Sequence, residues 1–200
     1  PEGEQGLQIG RLISARALGK EVPGITINRY CASGLEAISQ AVAKIKAGFG
    51  HIYIAGGTES MSMIPMTGYK LAPSYKANLE NLNYHVGMGA TAEAVADKYG
   101  ITREAADLFS LESHKKAANA IDAGKFNDQI VPIQVEEIFV ADGKRVAKTH
   151  TVSTDEGVRR ETSLEGLAKL RPAFKVKGVV TAGNASQTSD GAAFTLVVSE

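Results

Sequence analysis

The chain has 200 residues, with 22 basic and 22 acidic side chains and a formal net charge of zero at pH 7, so its overall charge does not attract nucleic acid or an anionic membrane. A hydrophobic fraction of 44% is sufficient for a core, and no apolar run is long enough to cross a bilayer. The single cysteine excludes an internal disulfide, which is typical of proteins in a reducing compartment.

The amino-terminal part of the chain predicts two helices and two strands. A helix is predicted from about Glu4 to Leu18, because apolar residues recur there at helical spacing and Gly19 follows. Residues 24–28 alternate apolar and polar side chains, a pattern typical of a short strand. The apolar residues from Leu35 to Ile45 predict a mostly buried helix, and residues 51–55 predict a second strand. This order predicts a βαβ unit.

Cys31 is predicted to lie in the first turn of the buried helix, where the first strand gives way to it. A thiol at a helix N-terminus faces unpaired backbone N–H groups and the positive end of the helix dipole, and both favour the thiolate. Ser33 and Gly34 are small and leave room for another group to approach the sulfur. Many isolated cysteines, however, are simply small buried hydrophobic residues. From these residues alone, Cys31 is either a nucleophile or a packing residue.

The middle of the chain predicts an irregular loop, two helices and a hairpin. No period is sustained between residues 60 and 86, so this stretch is interpreted as a long loop with a short helix. The later elements are helices over residues 91–99 and 102–123, each followed by a glycine, and a hairpin over 131–135 and 145–152 with its turn at Asp142-Gly143. His114 lies beside two lysines, so we interpret it as a solvated side chain.

The carboxyl-terminal part combines a basic segment with a turn of small residues. Residues 142–177 contain nine basic and five acidic side chains, and cationic groups are natural partners of phosphates, although a solvated surface is the favoured interpretation for the lysines. Strands predicted over 178–181 and 192–198 flank the turn 182–187, where a ligand can come close to the backbone. Asn184 is interpreted as organising this turn.

Five segments, in the family's order, resemble motifs of the thiolases: Asn28–Ile38, Gly56–Ser62, Met88–Glu93, Leu170–Phe174 and Val180–Ala193. The resemblance covers essentially the whole chain, and the chain covers only part of the family. It implies an α/β fold of the thiolase type, layered α-β-α-β-α, in which an N-terminal thiolase domain carries an inserted α+β loop domain. The implied division is an N-terminal core with the nucleophile (1–60), a loop domain (61–177) and return strands of the core (178–200). The first strand and the C-terminal thiolase domain are expected to be absent.

The same resemblance implies roles for individual residues. Cys31 is the catalytic nucleophile, which carries the acyl group as a thioester. The residues implied in binding substrate or coenzyme A are Met88, Arg159, Ala182 and Ser186. For the residues that can line an acyl chain, ordinary packing remains the favoured interpretation: Met61, Met63, Met66 and Tyr69. No metal site is expected.

The implied reaction is thiolytic cleavage of a 3-ketoacyl-coenzyme A to acetyl-coenzyme A and a shortened acyl-coenzyme A, as in fatty-acid β-oxidation. Coenzyme A is then a co-substrate, and no permanently bound cofactor is expected. The stretch 186–191 looks closer to degradative thiolases than to the biosynthetic acetoacetyl type. The catalytic histidine and second cysteine of thiolases lie in C-terminal motifs that this chain lacks. The chain is therefore expected to be inactive alone.

Other functions stay open at this point. They are a biosynthetic acetoacetyl-coenzyme A thiolase, a non-catalytic coenzyme A-binding fragment, and a thiol hydrolase that pairs Cys31 with His51. An acyl-carrier-protein-dependent condensing enzyme shares the fold class, but the basic segment and the turn favour coenzyme A. We expect a homodimer or homotetramer in the cytoplasm, with organellar targeting left open because the chain begins at Pro1.

Overall fold

The computed structural model describes residues 3–200, which divide into two compact units. The first unit comprises the chain up to Ser74 together with Thr188–Glu200, and the second comprises Tyr75–Gln187. The domain boundaries predicted after residues 60 and 177 both fall earlier in the chain than these two changes of unit. Within residues 3–200, no helix has the length and apolar character needed to span a membrane.

The first unit contains two α-helices and two long strands. In chain order they are α1 (Ile9–Ala17), α2 (Ser33–Lys46), β1 (Ile52–Ser60) and β4 (Asp190–Val198), with a 3₁₀ turn at Gly3–Gln5. Helix α1 begins later than predicted, because Leu7 has a positive φ of 55° that interrupts a helix. Helix α2 confirms the helix predicted after Cys31, but the prediction that it is mostly buried is wrong: Ala41 is its one buried residue, and Leu35 is 72% exposed.

The predicted strand over residues 24–28 is absent from the described structure, so the predicted βαβ unit is wrong. This segment lies against α1 instead. The hydroxyl of Thr26 accepts a hydrogen bond from the backbone N–H of Gly10 at 2.9 Å, and the N–H of Thr26 donates to the Gln8 side chain at 3.1 Å. The alternating pattern also gave the wrong covered side, since Ile25 is 64% exposed while Thr26 is partly covered. An extended segment becomes a strand only when another strand pairs with its backbone.

Strands β1 and β4 pair antiparallel over nine residues each, from Ile52 opposite Val198 to Ser60 opposite Asp190. Helix α2 packs on this two-stranded sheet and contributes the buried Ala41, while β1 contributes the buried Ala55. The sheet thus holds α2, and with it the residues that precede α2, against a fixed backbone.

The second unit contains four helices and a hairpin. Its elements are α3 (Tyr75–Glu80), a 3₁₀ turn (Leu82–His85), α4 (Met88–Tyr99), α5 (Arg103–Asp122), β2 (Ile133–Ala141), β3 (Lys144–Val152) and α6 (Leu164–Ala168). The short helix α3 confirms the one predicted inside the long loop.

Local sequence signals account for the ends of the longer elements of this unit. Gly100 ends α4 in the left-handed conformation, and the hydroxyl of Thr102 caps α5 by accepting from the N–H of Ala105 at 3.2 Å. Asp142 and Gly143 both have positive φ, as a two-residue hairpin turn requires. The predicted hairpin is confirmed, and its strands are longer than the pattern indicated.

The carboxylate of Asp190 links the loop after β1 to the start of β4, and we call this contact the carboxylate clamp. Asp190 accepts from the backbone N–H of Ser62 at 2.9 Å and from its hydroxyl at 2.5 Å. The hydroxyl hydrogen bond is the largest of the causes that lower the pKa of Asp190. The clamp ties the loop after β1 to the start of β4.

We predict that Ser62→Ala lowers the melting temperature near neutral pH and has little effect in strong acid. Because the pKa of folded Asp190 lies below the usual 3.8, the stabilisation is present above that value and is lost as the pH falls through the folded pKa. Thermal denaturation across this pH range measures the difference, and Ser189→Ala, at an exposed neighbouring position, is the control. A difference that stays constant with pH would rule out the clamp.

Candidate functional site

Cys31 lies immediately before α2, on the surface of the first unit. Ala32 is the N-cap residue and Ser33 begins the helix, so Cys31 precedes the first helical turn instead of lying in it as predicted. Its thiol is free and exposed. The alternative of a buried packing residue is therefore wrong, and the sulfur is accessible to a substrate.

The turn that carries Cys31 is held by side chains on both sides of it. Tyr30 has a positive φ of 48°, which is a strained conformation for a bulky residue. Its backbone N–H donates to the side chain of Asn28 at 2.9 Å, and its carbonyl accepts from the hydroxyl of Ser33 at 2.7 Å. The same hydroxyl accepts from the N–H of Arg29 at 2.8 Å. These bonds fix the backbone on which Cys31 is mounted.

This role of Asn28 and Ser33 was not predicted from the sequence, where Ser33 was noted only for its small side chain. The available signal was the residue type, because Asn and Ser side chains hydrogen-bond to nearby backbone in turns and at helix starts.

The acidic side chain in the first turn of α2 is paired with an arginine. Glu36 lies in the first turn of α2, where an uncompensated negative charge would oppose a thiolate. The Arg29 guanidinium lies 2.6 Å from the Glu36 carboxylate and neutralises it. Hydrogen bonds from Gln40 and then Arg29 lower the pKa of Glu36, so this carboxylate stays ionised and paired. Glu36 is therefore a paired charge at the start of α2 and not an isolated one.

An apolar groove of about 400 Å³ lies beside the start of α2, and Gly34, three residues after Cys31, is one of its lining residues. Gly34 and Ile38 of α2 form one side of it, and Gly57 and Phe194 of the sheet form the other. A side chain at Gly34 would meet nothing within 4 Å, so the groove is open at that point. His51, the partner required by the hydrolase alternative, has its Nδ1 3.2 Å from the Ser199 hydroxyl.

The methionines of the predicted acyl-binding loop are more exposed than ordinary packing requires. Met63 and Met66 are 55% and 73% exposed. The preference for ordinary packing is therefore wrong for these two residues, because the loop places them on the surface of the first unit. The hydroxyl of Tyr69 donates to the carbonyl of Met63 at 2.9 Å and holds the loop in shape.

The four residues predicted to bind substrate or coenzyme A all lie in the second unit: Met88, Arg159, Ala182 and Ser186. Met88 is the first residue of α4 and is 64% exposed. Ala182 and Ser186 are exposed, whereas Thr181 beside them is fully buried. Met88, Ala182 and Ser186 are thus accessible to a ligand.

Arg159 lies on the rim of a pocket of about 230 Å³ beside α5. Its neighbour Arg160 is engaged by Asp122, whose carboxylate oxygens lie 2.8 and 2.9 Å from the guanidinium nitrogens. This pair lowers the pKa of Asp122 and raises that of Arg160. Within residues 3–200, no carboxylate forms an ion pair with Arg159. The Arg159 guanidinium is therefore available to an anionic ligand in this pocket.

The interpretation of His114 as a solvated side chain is wrong. It is half-buried, and its Nδ1 accepts from the backbone N–H of Arg159 at 3.2 Å. Its neighbours in the sequence could not reveal this contact, which joins residues 45 positions apart. His114 therefore helps to place Arg159 at the pocket.

The predicted strand over residues 178–181 is also wrong, since only Thr181 forms an isolated bridge, to Pro172. The reason is that the N–H groups of Val179 and Val180 donate to the side chain of Glu93 and are not available to a strand partner.

Comparison with known proteins identifies the class to which this fold and site belong. The family model for the thiolase N-terminal domain matches residues 2–200. The chain belongs to the thiolase family, as its motifs predicted. It is 49% identical over 200 residues to a 3-ketoacyl-CoA thiolase of Bacillus subtilis, with 99% of this chain and 51% of that protein covered. It is 44% identical over 179 residues to the peroxisomal 3-ketoacyl-CoA thiolase 1 of Arabidopsis thaliana, with 88% and 40% covered.

Solved structures support the same assignment. The human mitochondrial 3-ketoacyl-CoA thiolase matches with a TM-score of 0.80 and 34% identity, over 99% of this chain and 51% of that one. The same enzyme in complex with CoA matches with a TM-score of 0.78 and 34% identity, over 99% and 50%. The thiolase-like fold class is confirmed. The chain spans about half the length of the relatives it matches.

We predict that Ser33→Ala slows alkylation of Cys31 by iodoacetamide. Loss of the Ser33 hydroxyl frees the backbone of Arg29 and Tyr30, so the sulfur is no longer held at the start of α2. The expected decrease is about two- to fivefold, the range of a charge interaction with a helix terminus. Ser39→Ala, on the exposed face of the same helix, should react like the wild type. Equal rates for all three proteins would contradict the role of Ser33.

Proposed function

We propose that this chain supplies the nucleophile and the coenzyme A-binding residues of a degradative 3-ketoacyl-CoA thiolase, an acetyl-CoA acyltransferase of fatty-acid β-oxidation. The observation that carries the proposal is the exposed thiol of Cys31, held on a strained turn at the start of α2 in a chain of the thiolase family. The relatives named above, which include the bacterial, plant and human proteins, are 3-ketoacyl-CoA thiolases.

In the first half of the proposed reaction, the Cys31 thiolate attacks the 3-keto carbon of a 3-ketoacyl-coenzyme A. The bond between C2 and C3 then breaks, and its electron pair leaves with C2 as the enolate of acetyl-coenzyme A, which takes up a proton. The shortened acyl group stays on the sulfur as a thioester. In the second half, the thiolate of another coenzyme A attacks this thioester, and the Cys31 thiolate is released.

The enolate takes up a proton, and the thiols of Cys31 and coenzyme A must each lose one before they attack. Within residues 3–200, no acidic or basic side chain hydrogen-bonds to the Cys31 thiol. The chain contains no second cysteine, and His51 is engaged near Ser199. We infer that the acid–base groups come from outside these 200 residues and that the chain alone does not turn over. Turnover of acetoacetyl-coenzyme A by the chain alone, lost on Cys31→Ala, would contradict this inference.

Coenzyme A is the proposed co-substrate, and no permanently bound cofactor is required. Arg159 is proposed to contact the phosphates of the nucleotide end, since its guanidinium is available in a pocket where Arg160 is already paired. Ala182 and Ser186 are proposed to hold the pantetheine arm, and Met88 to contact the acyl end. Support comes from their exposure and from a thiolase neighbour that binds CoA.

The assembled protein is proposed to be a homodimer or homotetramer, on the resemblance to thiolases. A cytoplasmic location is proposed from the single free cysteine, which suits a reducing compartment. An organellar location is the alternative, as for the plant relative that is named peroxisomal.

The test of this function joins the chain to the second half of the Bacillus subtilis relative. We expect the joined protein to cleave acetoacetyl-coenzyme A with coenzyme A, because the missing acid–base groups are then present. Cys31→Ala should reduce the rate by at least about a thousandfold, as removal of a covalent nucleophile does in other enzymes. A joined protein that is folded but retains its rate after Cys31→Ala would overturn the proposal.

We also predict that Arg159→Ala weakens binding of coenzyme A to the chain by about tenfold or more, the value of a lost charge-assisted hydrogen bond. Arg145→Ala is the matched control, since Arg145 lies in the same basic segment but on the exposed strand β3. Isothermal titration measures both. Equal losses for the two variants would show that general surface charge, and not a placed guanidinium, attracts the ligand.

A further inference from the structure

Two acidic side chains of the second unit are buried: Glu93 of α4 is 3% exposed and Asp107 of α5 is 4% exposed. A buried carboxylate is unfavourable unless hydrogen bonds or a cation compensate its charge. The partners of these two groups converge on one segment of the chain, residues 179–184, which leads into the turn that bears Ala182 and Ser186.

Glu93 holds the beginning of this segment through its backbone. Its Oε2 accepts from the N–H of Val179 at 3.0 Å and its Oε1 from the N–H of Val180 at 2.9 Å. Residue 178 is glycine because any side chain there would collide with the Glu93 carboxylate. The carboxylate satisfies both N–H groups because each of its two oxygens accepts from one of them.

Asp107 holds the end of the segment through Asn184. Its Oδ2 lies 2.7 Å from Nε of Arg103, and its Oδ1 accepts from the amide nitrogen of Asn184 at 2.8 Å. Arg103 also donates to the carbonyls of Leu167 and Leu170, at 2.6 and 3.0 Å. The arginine therefore neutralises Asp107 and ties it to the end of α6.

Asn184 closes the segment on itself. Its amide nitrogen donates to the carbonyl of Val179 at 2.9 Å, and its side-chain oxygen accepts from the N–H of Thr181 at 2.8 Å. The hydroxyl of Ser110 donates to the carbonyl of Gly183 at 2.5 Å. These bonds satisfy backbone groups of Val179, Thr181 and Gly183, while Ala182 and Ser186 remain exposed.

We propose that Glu93, Asp107 and Asn184 are positioning residues for coenzyme A: they fix the backbone of residues 179–184 so that the exposed side of the turn is shaped for the pantetheine arm before it binds. The proposal rests on the proposed function, and it adds residues that do not touch the ligand. A turn that is ordered in advance loses less conformational entropy when a flexible arm binds to it.

A purely structural role would have a different signature. Removing one partner of a buried ionic or hydrogen-bonded group destabilises the folded state, because the other partner is left uncompensated. If these residues only stabilised the unit, their replacement would lower the melting temperature and leave the coenzyme A affinity of the folded protein unchanged. A positioning role predicts a loss of affinity at temperatures where the variant is fully folded.

The test is Glu93→Gln in the 200-residue chain. Glutamine keeps the size of glutamate, but its amide nitrogen cannot accept, so one of the two N–H groups loses its partner. The matched control is Asp97→Asn on the same helix, whose exposed carboxylate contacts the side chain of Lys175 and no backbone of the turn. Isothermal titration gives the Kd for coenzyme A well below each melting temperature, and hydrogen exchange reports on amides 179–186.

We expect the Kd of Glu93→Gln to rise at least tenfold, with faster exchange at residues 179–184, and the Kd of Asp97→Asn to change less than twofold. An unchanged Kd for Glu93→Gln beside a normal wild-type titration would overturn the positioning role and leave the proposed function intact. A wild-type chain that binds no coenzyme A would overturn both, and the wild-type titration alone reveals that case.

A second variant decides the question if Glu93→Gln does not melt cooperatively. Ser110→Ala removes one hydrogen bond to the carbonyl of Gly183 and leaves both buried carboxylates in place. A Kd for coenzyme A raised about threefold supports the proposal, in line with one lost neutral hydrogen bond. A Kd equal to that of the wild type contradicts it.

Discussion

One hydroxyl group, that of Ser33, holds together the turn on which the chemistry of this chain depends. It donates to the carbonyl of Tyr30 and accepts from the N–H of Arg29, so it links the start of α2 to the two residues that precede Cys31. The strained backbone of Tyr30 persists because these bonds, and the one from its N–H to Asn28, fix it. The turn that carries the thiol is therefore ordered before a substrate arrives.

In the second unit, buried carboxylates fix a backbone segment, as the Ser33 hydroxyl fixes the turn before α2 in the first unit. Glu93 and Asp107 are costly groups to bury, and their partners are the backbone and the amide of one surface segment. In both units, polar side chains hold a short stretch of backbone whose outer side is proposed to contact the ligand. The proposed division of labour, with the nucleophile on one unit and the coenzyme A contacts on the other, follows from where these stretches lie.

The sequence predicted those features that depend on neighbouring residues and failed for those that depend on distant ones. Helix α5 and the Asp142-Gly143 hairpin are set by local caps and turns, and both were predicted. Residues 178–181 have the pattern of a strand, but a carboxylate more than eighty positions earlier takes two of their N–H groups. The site followed the same rule. The motif identified Cys31, whereas the contact of His114 with the backbone of Arg159 had no signature in either segment.

The central claim is that Cys31 is an acyl acceptor, and the most direct measurement is the intact mass of the chain after incubation with acetyl-coenzyme A. At a pH above about 8.5 thiols ionise without a general base. Transfer of an acyl group from one thiolate to another then needs no acid–base group, so at that pH the half-reaction requires only the Cys31 sulfur. The account predicts a gain of one acetyl group, located at Cys31 and absent in Cys31→Ser. Acetylation confined to lysines, or equal in the two proteins, would contradict it.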